Sequence, residues 1–424
     1  MISQFSVANY RSIHDLQTLN FRPTGLTSED KNVDADNIVR LDEANSFLKI
    51  IGVYGPNASG KSSLLKALGF LKQMVSYSLE SENVLKYQQN QFKLSTEHPE
   101  HCGRFEIVLV LDGRKYKYGF SLAINGHILS EWLYGPADKN ETYYFVRNGA
   151  EISINEDRFR EGTQLPWANK LRSDTLFLTF CSSYDGEISS EIKDFITHNI
   201  IVEGGGIGSR FPSYMSGRGN KRTNGLIKNG GKHIILNWMN EAGLSVDDIE
   251  LQEIERNKIK YGYDVFLTKN VFDAKGEVVD KVTMNLEYDE SEGTKKFYSY
   301  IGALWEIFQT GGLYISDEID NNFHPSLLLK VIKLFQNPNI NRAGAQLLYT
   351  SHDINLMDSR VMRRDQFYFT EKNHLQETRL FSLANLKGIR NNADFARQYL
   401  AGLYGALPQL GHFRDLNILG DDRS

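Results

Sequence analysis

The sequence predicts an α/β fold: a mixed central sheet, an antiparallel β-meander subdomain beside it, and a helical insertion. Three observations predict it. Short apolar runs at 47–54, 312–316 and 346–350 each end in glycine or polar residues, the pattern of buried strands. A period-two stretch punctuated by Asp-Gly and Asn-Gly pairs runs over 104–154. Helical spacing then dominates 166–242.

Taken in order, residues 2–8 and 16–21 read as strands. Residues 24–45 are polar and acidic and read as an exposed loop. After the buried strand 47–54, Gly55 to Ser59 makes a turn. Leu64, Leu65, Leu68, Leu71 and Met74 then recur at helical spacing over 61–75. The meander places strands at 105–111, 115–123, 127–133, 142–146 and 151–154. Asp112-Gly113, Asn125-Gly126 and Asn148-Gly149 are its hairpin turns, since these pairs tolerate the left-handed backbone such turns require. The helical stretch 166–242 is interrupted irregularly over 204–231. Strands follow at 249–254, 263–269 and 282–288, a helix at 295–308, a buried strand at 312–316, a helix at 325–336, and strands at 346–350 and 366–370. The chain divides into a first lobe at 1–165, a helical insertion with a basic glycine-rich loop at 166–245, a second lobe at 246–385 and a C-terminal segment at 386–424.

Composition narrows the class. Hydrophobic residues at 41% and charged residues at 24% are those of an ordinary globular chain. A net charge of -5 argues against a uniformly basic nucleic-acid binder, so a nucleic-acid contact would need a local patch. Cys102 and Cys181 make neither a disulfide framework nor a metal ladder. The first ten residues lack a signal-peptide pattern, and no apolar run reaches the roughly 20 residues of a membrane span, so no membrane partner and a cytoplasmic location are expected.

Four segments carry chemistry. Gly55-Pro56-Asn57-Ala58-Ser59-Gly60-Lys61-Ser62 matches G-x-x-x-x-G-K-[ST] between a buried strand and a helix. The glycines let backbone N–H groups wrap a phosphate chain, and the helix N-terminus adds partial positive charge. Lys61 would reach the β- and γ-phosphates, and Ser62 would ligate Mg²⁺. The strand at 312–316 ends in Asp317 and Glu318. Asp317 suits a metal-holding carboxylate and Glu318 a general base that polarises water. The strand at 346–350 leads to His352, placed to contact the γ-phosphate and sense its loss. Ser291 and Gly293, ahead of the helix at 295, suit either a second phosphate contact or plain N-capping, and the residues alone do not choose.

This order of motifs resembles the ABC-type ATPase heads of the SMC, Rad50, RecF and OLD group. More closely it is similar to the stand-alone bacterial phage-defence ATPases of the RloA, AbiL and PARIS AriA kind. The resemblance covers most of the chain. It opens at Phe5-Ser6-Val7-Ala8-Asn9-Tyr10-Arg11-Ser12-Ile13 and continues through Tyr54 to Ser63. Glu290-Ser291-Glu292-Gly293-Thr294 stands where such heads have their signature motif. Asp317-Glu318-Ile319-Asp320 with His324-Pro325 resembles the Walker B and D-loop region, and Thr350-Ser351-His352-Asp353 the switch-histidine motif. Arg363 to Gln366 and Tyr399 to Pro408 resemble the C-terminal stretch. Asn321-Asn322-Phe323 departs from the short residues usual before the His-Pro pair, and Gln91 is the candidate Q-loop glutamine.

The resemblance implies a P-loop NTPase fold of ABC-head type and a composite site. Two subunits would sandwich two ATP molecules, putting Ser291 and Gly293 on the partner's γ-phosphate and Asp320 near the seam. ATP and Mg²⁺ are the implied cofactors, and a homodimer or higher homo-oligomer the implied assembly. The insertion is too short for the heptad arms of SMC or Rad50 proteins. About 70 residues follow His352, few for a further TOPRIM domain. A separate effector, a TOPRIM or RNase-like nuclease or toxin, is therefore the expected partner in antiphage defence. The second expectation is an SMC- or RecF-like ATPase acting directly on DNA. The glycine-rich stretch 204–232, with Arg210, Arg218, Lys221, Arg222, Lys228 and Lys232, reads either as a solvated loop or as a phosphate-backbone contact. His98, His101 and Cys102 read as a surface loop rather than a zinc site.

Overall fold

The structure is a computed structural model and describes residues 1–80, 91–95, 103–137, 141–164, 171–203, 220–256, 259–321 and 323–408. Its strands in chain order are β1 (Ile2–Ala8), β2 (Gln17–Asn20), β3 (Ile38–Arg40), β4 (Ser46–Leu48), β5 (Ile50–Tyr54), β6 (Gly103–Leu111), β7 (Arg114–Leu122), β8 (Ile128–Pro136), β9 (Glu141–Asn148), β10 (Glu151–Ile154), β11 (Ile200–Glu203), β12 (Asp248–Arg256), β13 (Ile259–Phe272), β14 (Val278–Asn285), β15 (Leu313–Ser316), β16 (Gln346–Thr350), β17 (Phe367–Lys372) and β18 (Thr378–Ser382). The helices are α1 (Lys31–Asn37), α2 (Lys61–Tyr77), α3 (Arg160–Thr163), α4 (Phe177–Ser182), α5 (Glu187–His198), α6 (Lys221–Leu226), α7 (Lys232–Glu241), α8 (Glu292–Thr310), α9 (Pro325–Gln336) and α10 (Phe395–Leu400).

The expected α/β architecture is present. A six-stranded sheet runs in the order β11-β15-β16-β5-β17-β18. Its first five strands are parallel and β18 is antiparallel, so the sheet is mixed. The meander β6 to β10 forms a seven-stranded antiparallel sheet with β1 and β2, joined by pairs such as Phe5↔Ile107. A third sheet is formed by β12-β13-β14 and a two-stranded one by β3-β4.

Alternation along the parallel strands creates two cores. Ile51, Val53, Ile315 and Leu348 face one core, which takes the apolar face of α2 and the inner face of the seven-stranded sheet. Ile50, Tyr54, Tyr314, Leu347 and Tyr349 face the other, which takes α8, α9 and residues of β12 and β13. A strand buried on both faces has no polar alternation, which is why 47–54, 312–316 and 346–350 read as continuous apolar runs.

Two expectations are corrected, and one hairpin has no counterpart among them. Residues 24–45 are not only an exposed loop: they hold α1 and β3. Asp30 caps α1 by accepting from the Asn32 N–H, and Asn37 is fully buried, its amide donating to the carbonyls of Val33 and Val361. A polar composition misleads here because the buried polar groups are paired. Within the mainly helical segment 166–245, residues 200–203 are not helix but strand β11, paired with β15. The hairpin from β17 into β18 was not foreseen. Its polar turn puts Gln376 at φ +63°, a conformation with no sequence mark. Among the described residues no helix is long and apolar enough to cross a membrane.

Candidate functional site

Parallel strands all carry their C-terminal ends to one edge of the sheet, where ligands of open α/β folds bind. The P-loop follows β5, Asp317 and Glu318 follow β15, and His352 follows β16. These three strands are adjacent, in the order β15-β16-β5. Topology therefore gathers segments separated by up to 300 residues.

The P-loop is braced from behind by the last two strands. Ser59 Oγ lies 2.6 Å from Thr370 Oγ1, and the Thr378 hydroxyl donates to the Ser59 carbonyl at 2.9 Å. Gly60, at φ +112°, is the N-cap of α2. A Cβ there would lie 2.5 Å from Thr378 Cγ2 and still nearer its hydroxyl, so only glycine fits. The turn around Arg11 joins the same brace: Ser12 Oγ meets Ser63 Oγ at 3.0 Å and Thr378 Oγ1 at 2.8 Å. Beside it, His14 Nδ1 lies 2.9 Å from Glu377 Oε1. Pro56, Asn57 and Ala58 form the crest, with Ala58 at φ +61°.

Lys61 is buried, its ammonium donating to the carbonyls of Gly55 at 2.8 Å and Pro56 at 3.0 Å. Burial pulls its pKa down, and the carboxylates of Asp317, Glu318 and Asp320 oppose that shift. The cation and the three acids thus share one electrostatic neighbourhood. Asp317 Oδ1 accepts from the Thr350 hydroxyl at 2.6 Å. Glu318 is exposed and held at φ +49°. Asp320 Oδ2 accepts from the His352 N–H at 3.1 Å, while its Oδ1 is buried with no hydrogen-bond partner among the described residues. Ser62 opens α2 beside Lys61.

Ser291 N-caps α8: its hydroxyl accepts from the Thr294 N–H at 3.2 Å and lies 3.0 Å from Thr294 Oγ1. Capping, one of the two readings left open, is thus present, and Gly293 lies in the same first turn. Gln91 lines a small cavity with Asn9, Tyr10, Phe70 and Phe105. Of the basic stretch, Arg210 and Arg218 lie outside the described residues, as do His98, His101 and Cys102. Arg222 pairs with Glu306 at 2.8 Å and Glu203 at 4.0 Å, Lys232 pairs with Asp248, and Lys228 bonds the Tyr263 hydroxyl. These three cations are directed to partners within the chain.

Sequence reasoning missed four residues at this edge. Lys296, on α8, donates to the Asn321 carbonyl at 2.6 Å and the Glu318 carbonyl at 3.2 Å, which ties α8 to the turn after β15. Burial lowers its pKa to about 8, against the pull of Asp320 and Glu318. Glu203 ends β11, its carbonyl accepting the Asp317 N–H at 3.3 Å, and burial raises its carboxyl to about 7, with Arg222 opposing. Ile200-Ile201-Val202-Glu203 has the form of an apolar strand ending in an acid, a signal that was readable. Thr370 and Thr378 carry none, since nothing in a lone threonine names its partner.

A family model described as "AAA domain, putative AbiEii toxin, Type IV TA system" matches residues 50–165 and 227–358, more than half of the chain. The chain belongs to this family. The family's matched stretches hold the P-loop, Asp317, Glu318 and His352. Among solved structures, the chain is similar to an SMC head bound to the C-winged helix domain of ScpA, at 12% identity, 90% of this chain, 97% of that one and a TM-score of 0.47. It is also similar to an SMC head domain from Thermotoga maritima, at 12% identity, coverage of 90% and 98% and a TM-score of 0.39. A third is an SMC head with an extended coiled coil bound to the C-terminal domain of ScpA, derived from Pyrococcus furiosus, at 10% identity, coverage of 95% and 99% and a TM-score of 0.44. No curated protein matches the sequence.

Proposed function

We propose that the chain binds ATP with Mg²⁺, hydrolyses it, and closes as a homodimer that gates a separate effector. The convergence of Lys61, Asp317, Glu318 and the Asp320–His352 pair at one sheet edge carries this reading. Backbone N–H groups of Gly55 to Ser63 would cradle the phosphates, and Lys61 would move from its carbonyl partners to the β- and γ-oxygens. Among the described residues Asp317 uses one oxygen, on Thr350, so a hydroxyl and a carboxylate, Ser62 and Asp317, fit the oxygen donors a hard dication takes. When bound, the ion would neutralise charge on the transferring phosphoryl group. Glu318, exposed at that edge, would take the proton of the attacking water, and His352 would orient toward the γ-phosphate.

The dimer rests on the family resemblance, which sets Ser291 and Gly293 across the seam from the partner's P-loop and Asp320 beside it. The effector reading rests on the same resemblance and on the family's printed link to a toxin and a Type IV TA system. Direct action on DNA is less supported, because Arg222, Lys228 and Lys232 are engaged within the chain. Glu318→Gln tests the reading. With ATP and Mg²⁺ it should hydrolyse at least about 100-fold more slowly and accumulate as a dimer by light scattering. A variant that stays monomeric and turns over at the normal rate would falsify the composite site.

A further inference from the structure

Thr350 is the last residue of β16 and is fully buried. Its one hydroxyl is used twice. It donates to Asp317 Oδ1 at 2.6 Å and accepts from the Glu318 N–H at 2.7 Å. A carboxylate can only accept and an amide N–H can only donate, so the hydroxyl's orientation is set by its two partners. The Thr350 carbonyl then accepts the Ile319 N–H at 3.0 Å. Three successive residues after β15 therefore hang from one residue of the neighbouring strand.

That attachment has work to do. Glu318 sits at φ +49°, a region that non-glycine residues rarely enter. Such a conformation persists only where the surroundings over-determine it; here Thr350 holds the Glu318 N–H, while the Glu318 carbonyl accepts from Lys296. Two residues beyond Thr350 is His352, whose N–H is held by Asp320. We propose that Thr350 is a positioning residue: its hydroxyl sets the metal-side carboxylate and the water-side carboxylate relative to each other and ties both to the strand that carries His352. This rests on the hydrolysis reading above, in which Asp317 and Glu318 have those roles.

Thr350→Val keeps the shape and removes the hydroxyl, and Thr350→Ser keeps the hydroxyl. Thr350→Ala replaces valine in the comparison if circular dichroism shows the valine variant misfolded. ATP turnover at varied Mg²⁺, together with hydrogen exchange at the Glu318 amide without nucleotide, tests the proposal. Loss of a hydrogen bond to a charged group predicts a kcat about 10- to 100-fold lower in Thr350→Val, with KM for ATP within about threefold and a Mg²⁺ requirement about tenfold higher. The Glu318 amide should exchange about tenfold faster in Thr350→Val. Thr350→Ser should stay within about threefold of the parent on every readout. Unchanged kcat and Mg²⁺ requirement in Thr350→Val, or a serine variant as impaired as the valine one, would overturn the proposal. If the parent protein itself does not hydrolyse ATP, the functional reading falls, and amide exchange alone then decides: equal protection of Glu318 in the parent and Thr350→Val overturns the positioning role.

Discussion

Replacing Gly60 by alanine isolates the packing that shapes the phosphate loop. At φ +112° an L-residue pays about 1–2 kcal/mol in backbone strain. The added Cβ would also stand 2.5 Å from Thr378 Cγ2 and 2.8 Å from Thr378 Cβ, inside van der Waals contact. Overpacking of this kind typically costs about 1–3 kcal/mol. The two effects fall on the same loop, so about 2–5 kcal/mol is expected, either as lost global stability or as a loop displaced from α2. Thr378 cannot yield freely, because its hydroxyl also holds the Ser59 carbonyl at 2.9 Å and Ser12 Oγ at 2.8 Å. Gly113→Ala is the control: φ is +75°, yet nothing lies within 4 Å of the added Cβ, so only about 1–2 kcal/mol of strain applies. Urea unfolding of both variants, with fluorescent ATP titration of each folded protein, separates the cases. Gly60→Ala should lose ATP binding by at least tenfold beyond the control, about 1.4 kcal/mol. Equal stability and equal ATP affinity in the two variants would refute the close-packing argument.

Other consequences are distant from the loop or depend on pH. Glu131 is fully buried and accepts from the N–H groups of Phe177 at 2.6 Å and Leu178 at 2.9 Å and from the Tyr118 hydroxyl at 3.0 Å, with Arg147 at 3.8 Å. Glu131→Ala leaves the buried Arg147 charge without its carboxylate, though still bonded to the Gly149 and Thr175 carbonyls, and should lower the unfolding free energy by about 3–5 kcal/mol in urea titrations, with ATP affinity of the folded fraction unchanged. Glu203 has a folded pKa of about 7, above the ordinary value of 4.5, so between these pH values the folded state binds the proton that the unfolded state has released. Its contribution to stability is therefore present below pH ~4.5 and lost as pH rises to about 7, by on the order of 3 kcal/mol. Glu203→Gln should flatten that slope in pH-dependent denaturation, and an unchanged slope counts against the burial argument.

Much of the candidate site is legible in the sequence because the chemistry proposed for it is local. Gly60 and Lys61 must be neighbours for a backbone cradle to open a helix, and Asp317 and Glu318 must directly follow a buried strand. Such constraints leave a contiguous mark. The support of the site leaves none. Thr370 and Thr378 brace Ser59 from more than 300 positions away, and Lys296 reaches the turn after β15 from a different helix. The fold divides similarly. Period-two strands and Asp-Gly or Asn-Gly turns marked the meander, whereas α1 was hidden because polar side chains that pair with one another look like a solvated loop.

By itself, then, the sequence named the candidate residues for the proposed phosphate, dication and proton roles, since such candidates are picked out by side-chain types and short spacings. Only the tertiary structure decided that the three segments share an edge, because the strand order β15-β16-β5 is not the chain order. It also decided that Thr350 and Lys296 bond to the residues after β15 and that Arg222, Lys228 and Lys232 take partners within the chain. Partner choice is a matter of distance after folding, and a hydroxyl or an ammonium carries no record of it in the sequence around it.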